Sequence, residues 1–197
     1  MLKVTEEAPK LTLDGDDGEV HEVGGAPGTV IVYFYPKDDT PGCTTEAKEF
    51  SAAAARFAEA GAVVYGVSKD SVASHRKFRD KYGLSVRLLS DPDLRAHSAF
   101  GAYGEKTLYG KKVMGTIRST FVLRDGKVAR VFPKVKVAGH VEAVLAAVAE
   151  LAGGAQPSPA PAAKKPAAKK PAAKKPATKK PATKKPAATK KGSAARE

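Results

Sequence analysis

Hydrophobic positions in this chain fall into blocks of two different periods. Residues 29–35, TVIVYFY, form an unbroken apolar, β-rich run, the pattern of a strand covered on both faces. Residues 62–68, AVVYGVS, repeat that pattern. Between them the period becomes that of a helix. Over residues 41–60, Cys43, Ala47, Phe50, Ala54 and Phe57 recur at alternating spacings of four and three, and Gly61 is the expected stop.

The flanking segments extend the same reading. Residues 10–23 predict a short hairpin around Asp16, Asp17 and Gly18. Residues 71–83, SVASHRKFRDKYG, predict a helix stopped by Gly83, and residues 86–91 a short strand or sheet edge. A brief helix follows at DLRAHSAFG, then a polar, glycine-punctuated excursion over residues 103–115. STFVL, a turn at Asp125-Gly126 and KVARVF predict two paired strands. Val141, Val144, Leu145, Val148 and Leu151 mark a closing helix. This order of elements predicts a three-layer α/β domain with a mixed sheet over residues 1–151.

Beyond Leu151 no apolar residue is larger than alanine. Residues 152–197 repeat PAAKK and PATKK units, ending in PAATKK. A proline in every repeat opposes a helix, and nothing large enough to bury offsets the entropy of ordering. This segment is expected to be a disordered Lys/Ala/Pro tail. It also accounts for nearly all of the formal charge of +13: it holds twelve lysines and Arg196 against Glu197 alone. The body is therefore close to neutral.

The one cysteine, Cys43, excludes an intrachain disulfide and fits a reducing compartment. No secretory leader or membrane-spanning run is apparent, so the expected location is cytoplasmic. Cys43 lies just inside the predicted helix start. A free thiol, with a reference pKa of about 8.5, is mostly protonated at neutral pH, and its thiolate is the nucleophile. Thr40 suits the N-cap and Pro41 the first helical position. Cys43 then falls third, where free N–H groups and the positive dipole end favour an anion. The Thr40 hydroxyl can reach the sulfur or a substrate oxygen. The apolar stripe turns Cys43 inward, to the floor of a shallow pocket. Free cysteine also packs well as a small inert hydrophobe.

The string YFYPKDDTPGCTTEAKEF closely resembles the active-site segment of peroxiredoxins, in particular bacterioferritin comigratory proteins and peroxiredoxin Q. The shared pattern of a proline, a threonine four residues on and a cysteine three further is matched by Pro36, Thr40 and Cys43. YGEKTLYGKKVMGTIRSTFVLRDGKV resembles a second family signature and places its arginine at Arg118. The resemblance covers roughly residues 3 to 151. It implies a thioredoxin-like fold and a thiol peroxidase that uses no metal, haem or flavin. Cys43 is then the attacking residue and Arg118 stabilises the thiolate and the breaking O–O bond. Thr40 aligns peroxide and sulfur, and Pro36 shields the pocket. Glu46, one turn below Cys43, is a candidate to orient the arginine. Lys37, Asp38 and Asp39 read most simply as a charged loop at the rim, and His21, His75, His97 and His140 as packing or surface residues with no ligand spacing.

One departure alters the expected cycle. Many members carry a resolving cysteine five residues after the first, where this chain has Lys48, and no later cysteine replaces it. The implied cycle uses one cysteine, with hydrogen peroxide or an organic hydroperoxide as oxidant and an external thiol as reductant. That thiol is a thioredoxin, a glutaredoxin or a small thiol. The expected oligomeric state is monomer or weak dimer.

The tail resembles those of linker histones and histone-like bacterial proteins. Lys164, Lys165, Lys169, Lys170, Lys174, Lys175, Lys179, Lys180, Lys184, Lys185, Lys190 and Lys191 are expected to bind DNA or RNA without sequence preference, by counterion release. The implied location is at the nucleoid, or the nucleus in a eukaryote. Two other functions fit the same features: a histone-like DNA-binding protein with an inactive peroxiredoxin scaffold, and a peroxide sensor.

Overall fold

A computed structural model describes residues 1–108 and 111–153. The lysines expected to bind nucleic acid lie outside the described residues.

The chain forms β1 (Leu11–Gly15), β2 (Val20–Val23), β3 (Thr29–Phe34), α1 (Pro41–Ala52), α2 (Ala54–Glu59), β4 (Ala62–Ser68) and α3 (Val72–Tyr82). β5 (Arg87–Ser90), α4 (Arg95–Phe100), β6 (Tyr103–Leu108), β7 (Lys111–Thr116), β8 (Ser119–Arg124), β9 (Lys127–Phe132) and α5 (His140–Ala152) follow. Seven strands make one mixed sheet in the order β2-β1-β5-β4-β3-β8-β9, and β6 pairs with β7 separately. β3 is parallel to β4 and antiparallel to β8.

The unbroken apolar run of β3 has a direct cause. Its residues alternate between two cores because side chains of a strand alternate faces. Ile31, Tyr33 and Tyr35 enter the core with Cys43, Phe50 and Phe57 of the α1–α2 face, Phe78 of α3 and Val144 of α5. Val30, Val32 and Phe34 enter the other, with Ala96 and Phe100 of α4 and with Phe121 and Leu123 of β8. All six residues of β3 are buried.

The helix read over residues 41–60 is two helices. Ala53 leaves helical geometry at φ −91° and ψ 0°, ending α1 and opening α2. The excursion at residues 103–115 is the β6–β7 hairpin. α3 starts with the Ser71 hydroxyl accepting from the Ser74 N–H, and ends at Gly83, whose left-handed φ of 62° glycine adopts without strain. Among the described residues, no helix is long and apolar enough to cross a membrane.

The register fixes where the chemistry can occur. Phe34 at the end of β3 pairs with Ser119 at the start of β8. The chain leaving β3 toward α1 and the chain entering β8 therefore meet at one end of these two central strands. That end brings together Cys43 and Arg118.

Candidate active site

Thr40 occupies the N-cap position of α1 and Pro41 its first helical position. Cys43 follows with its sulfur turned inward. It is 2% exposed, packed among Tyr33, Tyr35, Ala47 and Phe50. The Thr40 hydroxyl differs from the expected helix cap. It donates to the Lys37 carbonyl at 3.2 Å and closes the loop before the helix, and the cap itself has no side-chain hydrogen bond. The first-turn N–H groups are thus not occupied by the cap side chain, and Cys43 stands among them.

Arg118 reaches the site from the residue before β8. Its Nη2 donates to Cys43 Sγ at 3.1 Å, and its Nη1 donates to Glu46 Oε2. Cys43 and Glu46 are three apart on α1 and share one face, so a single planar fork serves both. A donated N–H from a cation is worth more to an anionic sulfur than to a neutral one. Burial opposes the charge on Arg118, but Glu46 and the Cys43 sulfur outweigh it and hold the guanidinium above its usual range. Burial pushes Glu46 up to about 7, against the pull of Arg118. Its Oε1 is buried without a hydrogen-bond partner.

His140 lies below this pair, at the start of α5. It contacts the rings of Phe50 and Phe132 edge-on, and its Nε2 lies 2.8 Å from Thr120 Oγ1. Burial, reinforced by the Arg118 charge, lowers its pKa to about 4. A neutral ring beside Arg118 spares the site a second buried cation.

The loop carrying Pro36 and Thr40 is fixed from below, through a residue read as part of a charged rim. Asp38 is buried. It accepts from Tyr35 Oη and Ser74 Oγ, both at 2.7 Å, and pairs with His75 Nδ1 at 2.9 Å. Its own N–H donates to Asp70 Oδ2. Against the cost of burial, His75, Ser74 and Tyr35 hold its carboxyl below the usual range. Asp39 at φ 54° accepts from Lys81 and Tyr82 at the far end of α3. Lys37 and Asp39 are the exposed residues of this loop, and Asp38 alone is turned inward. His75 shares a helical face with Phe78 and Tyr82, the signal by which its burial was legible. Lys48 is exposed, with its ammonium 4.7 Å from the centre of the Tyr82 ring.

A groove of about 490 Å³ opens beside Arg118, with Pro36, Ile117, Lys106 and Lys134 among its walls. Pro36 and Arg118 thus meet at one opening. Nothing in the sequence pattern marks Lys106; its Nζ donates to the Thr116 carbonyl at 2.9 Å.

Elsewhere, Asp17, Glu19 and His21 bring potential ligand atoms within 4.8 Å of one another at the β1–β2 turn, a grouping not evident from histidine spacing alone. Asp17 is already engaged, by Arg87 and by His21 Nε2 at 2.9 Å.

Residues 4–131 match the AhpC/TSA family. Peroxiredoxin Bcp of Xanthomonas campestris pv. campestris is 52% identical over 120 residues, 60% of this chain and 75% of that protein. Peroxiredoxin Bcp of Bacillus subtilis is 43% identical over 146 residues, 73% of this chain and 93% of that protein. A solved structure of the Xanthomonas campestris bacterioferritin comigratory protein, described for its alkyl peroxide reduction activity, superposes with a TM-score of 0.68 at 46% identity, covering 72% of this chain and 92% of that one. The mixed sheet flanked by helices is the thioredoxin-like fold of these enzymes. The chain belongs to the AhpC/TSA family, as a peroxiredoxin of the Bcp and peroxiredoxin Q type.

Proposed function

We propose that this protein is a one-cysteine peroxidase for hydrogen peroxide and alkyl hydroperoxides, with Cys43 as nucleophile. The observation that carries the reading is the Arg118 guanidinium seated on the sulfur of the chain's only cysteine. The Cys43 thiolate attacks one peroxide oxygen, the O–O bond breaks, and the departing oxygen takes a proton to leave as water or an alcohol. Cys43 becomes a sulfenic acid. Arg118 offers N–H donors to the charge that develops on the leaving oxygen. Thr40 orients the peroxide from the helix start, Pro36 covers the opening, and Glu46 fixes the arginine fork.

With no second cysteine, the sulfenic acid is reduced by an external thiol. Turnover measured with a panel of thiol reductants separates an enzyme from a sensor. Sustained peroxide consumption with at least one of them supports the enzyme. A single oxidation that is passed only to a partner protein's thiol supports the sensor.

The Lys/Ala/Pro tail is the basis for a second role, non-specific binding to DNA or RNA by a cytoplasmic, nucleoid-associated peroxidase. Twelve closely spaced lysines favour it, because each phosphate neutralised contributes about −0.9 to the slope of log affinity against log salt. Gel shifts of the full chain and of a chain ending at Gly153, run across salt concentrations, test it. The expected result is steep salt dependence in the full chain and loss of binding in the shortened one. Equal affinity would end the proposal. DNA binding by a protein whose Cys43 does not react with peroxide would favour the inactive-scaffold reading.

A further inference from the structure

We infer that the groove beside Arg118 is where the reducing thiol docks, and that this thiol is a small molecule carrying a carboxylate, held by Lys106 and Lys134. The inference rests on the one-cysteine reading above. Because Cys43 is 2% exposed, a reductant needs an opening that leads to the sulfur. Arg118 supplies the link: it lines the groove and donates to Cys43 Sγ at 3.1 Å.

The charge of the groove selects the ligand. Glu105, on its wall, is already taken by Lys112 at 3.0 Å, and the nearby Glu46 is buried on the other nitrogen of Arg118. Among the described residues no carboxylate pairs with Lys106 or Lys134. The Lys106 ammonium spends one of its three donors on the Thr116 carbonyl, which holds it in place and leaves two for a ligand. Burial and the Arg118 charge both lower the Lys106 pKa, and a bound anion relieves that strain. Lys134, at φ 52°, is set beside the site because the next residue, Val135, donates its N–H to the Arg118 carbonyl at 2.9 Å. Pro36, Ile117 and Val135 give apolar wall for the methylenes between carboxylate and sulfur. A groove of about 490 Å³ suits a small molecule rather than a protein face.

The chemistry balances. The ligand thiolate attacks the sulfenic sulfur, an S–S bond forms, the S–O bond breaks, and hydroxide leaves with a proton as water. A second thiol attacks the ligand's sulfur in the mixed disulfide and regenerates the Cys43 thiol. Two thiols are oxidised to one disulfide for each sulfenic acid reduced.

The test follows reduction of full-length protein pre-oxidised with one equivalent of hydrogen peroxide. Glutathione and 3-mercaptopropionate are compared with neutral 2-mercaptoethanol and cationic cysteamine. Mixed-disulfide formation is read by mass spectrometry, and each rate is divided by thiolate concentration. The carboxylate thiols are expected to exceed cysteamine by about tenfold at low salt. That preference should collapse in Lys134→Glu, whose exposed position tolerates the change, and in Lys106→Gln. The tail is unaltered in both, so its general attraction for anions does not account for the difference. Charge-blind rates, a preference that survives both substitutions, or reduction by a thioredoxin-type protein alone overturns the inference. Failure to form the sulfenic acid at all overturns the peroxidase reading itself, and the two failures are separable in one experiment.

Discussion

Cys43 and Arg118 are 75 residues apart in the sequence and 3.1 Å apart in the structure. Two features of the sheet bring them together. β3 and β8 are antiparallel neighbours in a register that closes at Phe34 and Ser119, and the helix carrying Cys43 begins just beyond that end of the strands. The arginine is then shared with Glu46, so the group that meets the sulfur is fixed at its other nitrogen.

Replacing Arg118 with alanine is expected to slow peroxide oxidation of Cys43 by about 10²- to 10³-fold, the usual effect of losing one donor to a developing charge. Arg118→Lys should recover only part of this. A single ammonium keeps the charge but cannot serve Glu46 and Cys43 with separate parallel donors. Stopped-flow oxidation rates of the three proteins at equal peroxide concentration check the order.

Glu46 and His140 should pull the pH dependence of stability in opposite directions. The folded pKa of Glu46, about 7, lies above its ordinary value of 4.5. Between those values the folded chain holds a proton that the unfolded chain has lost, so stability falls as pH rises through this window. His140 is lowered from 6.5 to about 4. There the unfolded chain binds the extra proton, so stability falls as pH drops from about 6.5 toward 4. Urea titrations from pH 4 to 8 should show that Glu46→Gln removes the loss on the alkaline side. His140→Asn should remove the loss on the acid side. The parent protein should be flatter than either variant where the windows overlap.

Much of this arrangement is legible in the sequence, for stated physical reasons. β3 and β4 announce themselves because both faces are covered, which forces an uninterrupted apolar run. Cys43, Ala47 and Phe50 mark the buried face of α1 by spacing alone. The break at Ala53 leaves no such trace. It lies in a run of alanines whose side chains look alike on either side of a helix end. Asp38 was hidden for a different reason. A lysine and two aspartates in a row read as a solvated loop, and only the approach of α3, with Ser74 and His75, converts the middle residue into a buried anchor. Arg118 could be placed by resemblance but not by period, since it precedes its strand. Lys106 sits in a segment whose polar, glycine-broken pattern concealed a hairpin.

Asp38 acts as a positioning residue for the loop bearing Pro36 and Thr40. Asp38→Ala leaves Tyr35, Ser74 and His75 without their acceptor, which should cost about 1 to 3 kcal/mol of stability for each donor left unsatisfied. Asp38→Asn retains one acceptor oxygen and should cost less. Displacement of the loop should also slow peroxide oxidation by about tenfold or more, since misplacement of about 1 Å can cost as much as 10²-fold. Urea midpoints and stopped-flow rates on the same preparations separate the two effects. A stability loss with an unchanged oxidation rate would remove Asp38 from the site's support.

Stopped-flow mixing of the fully reduced protein with hydrogen peroxide shows whether Cys43 is a nucleophile activated for peroxide. The expected result is rapid loss of one equivalent of peroxide per chain, with Cys43 recovered as a sulfenic acid and no reaction in Cys43→Ser. Oxidation no faster than that of a free low-molecular-weight thiol, or peroxide loss undiminished in Cys43→Ser, would contradict it.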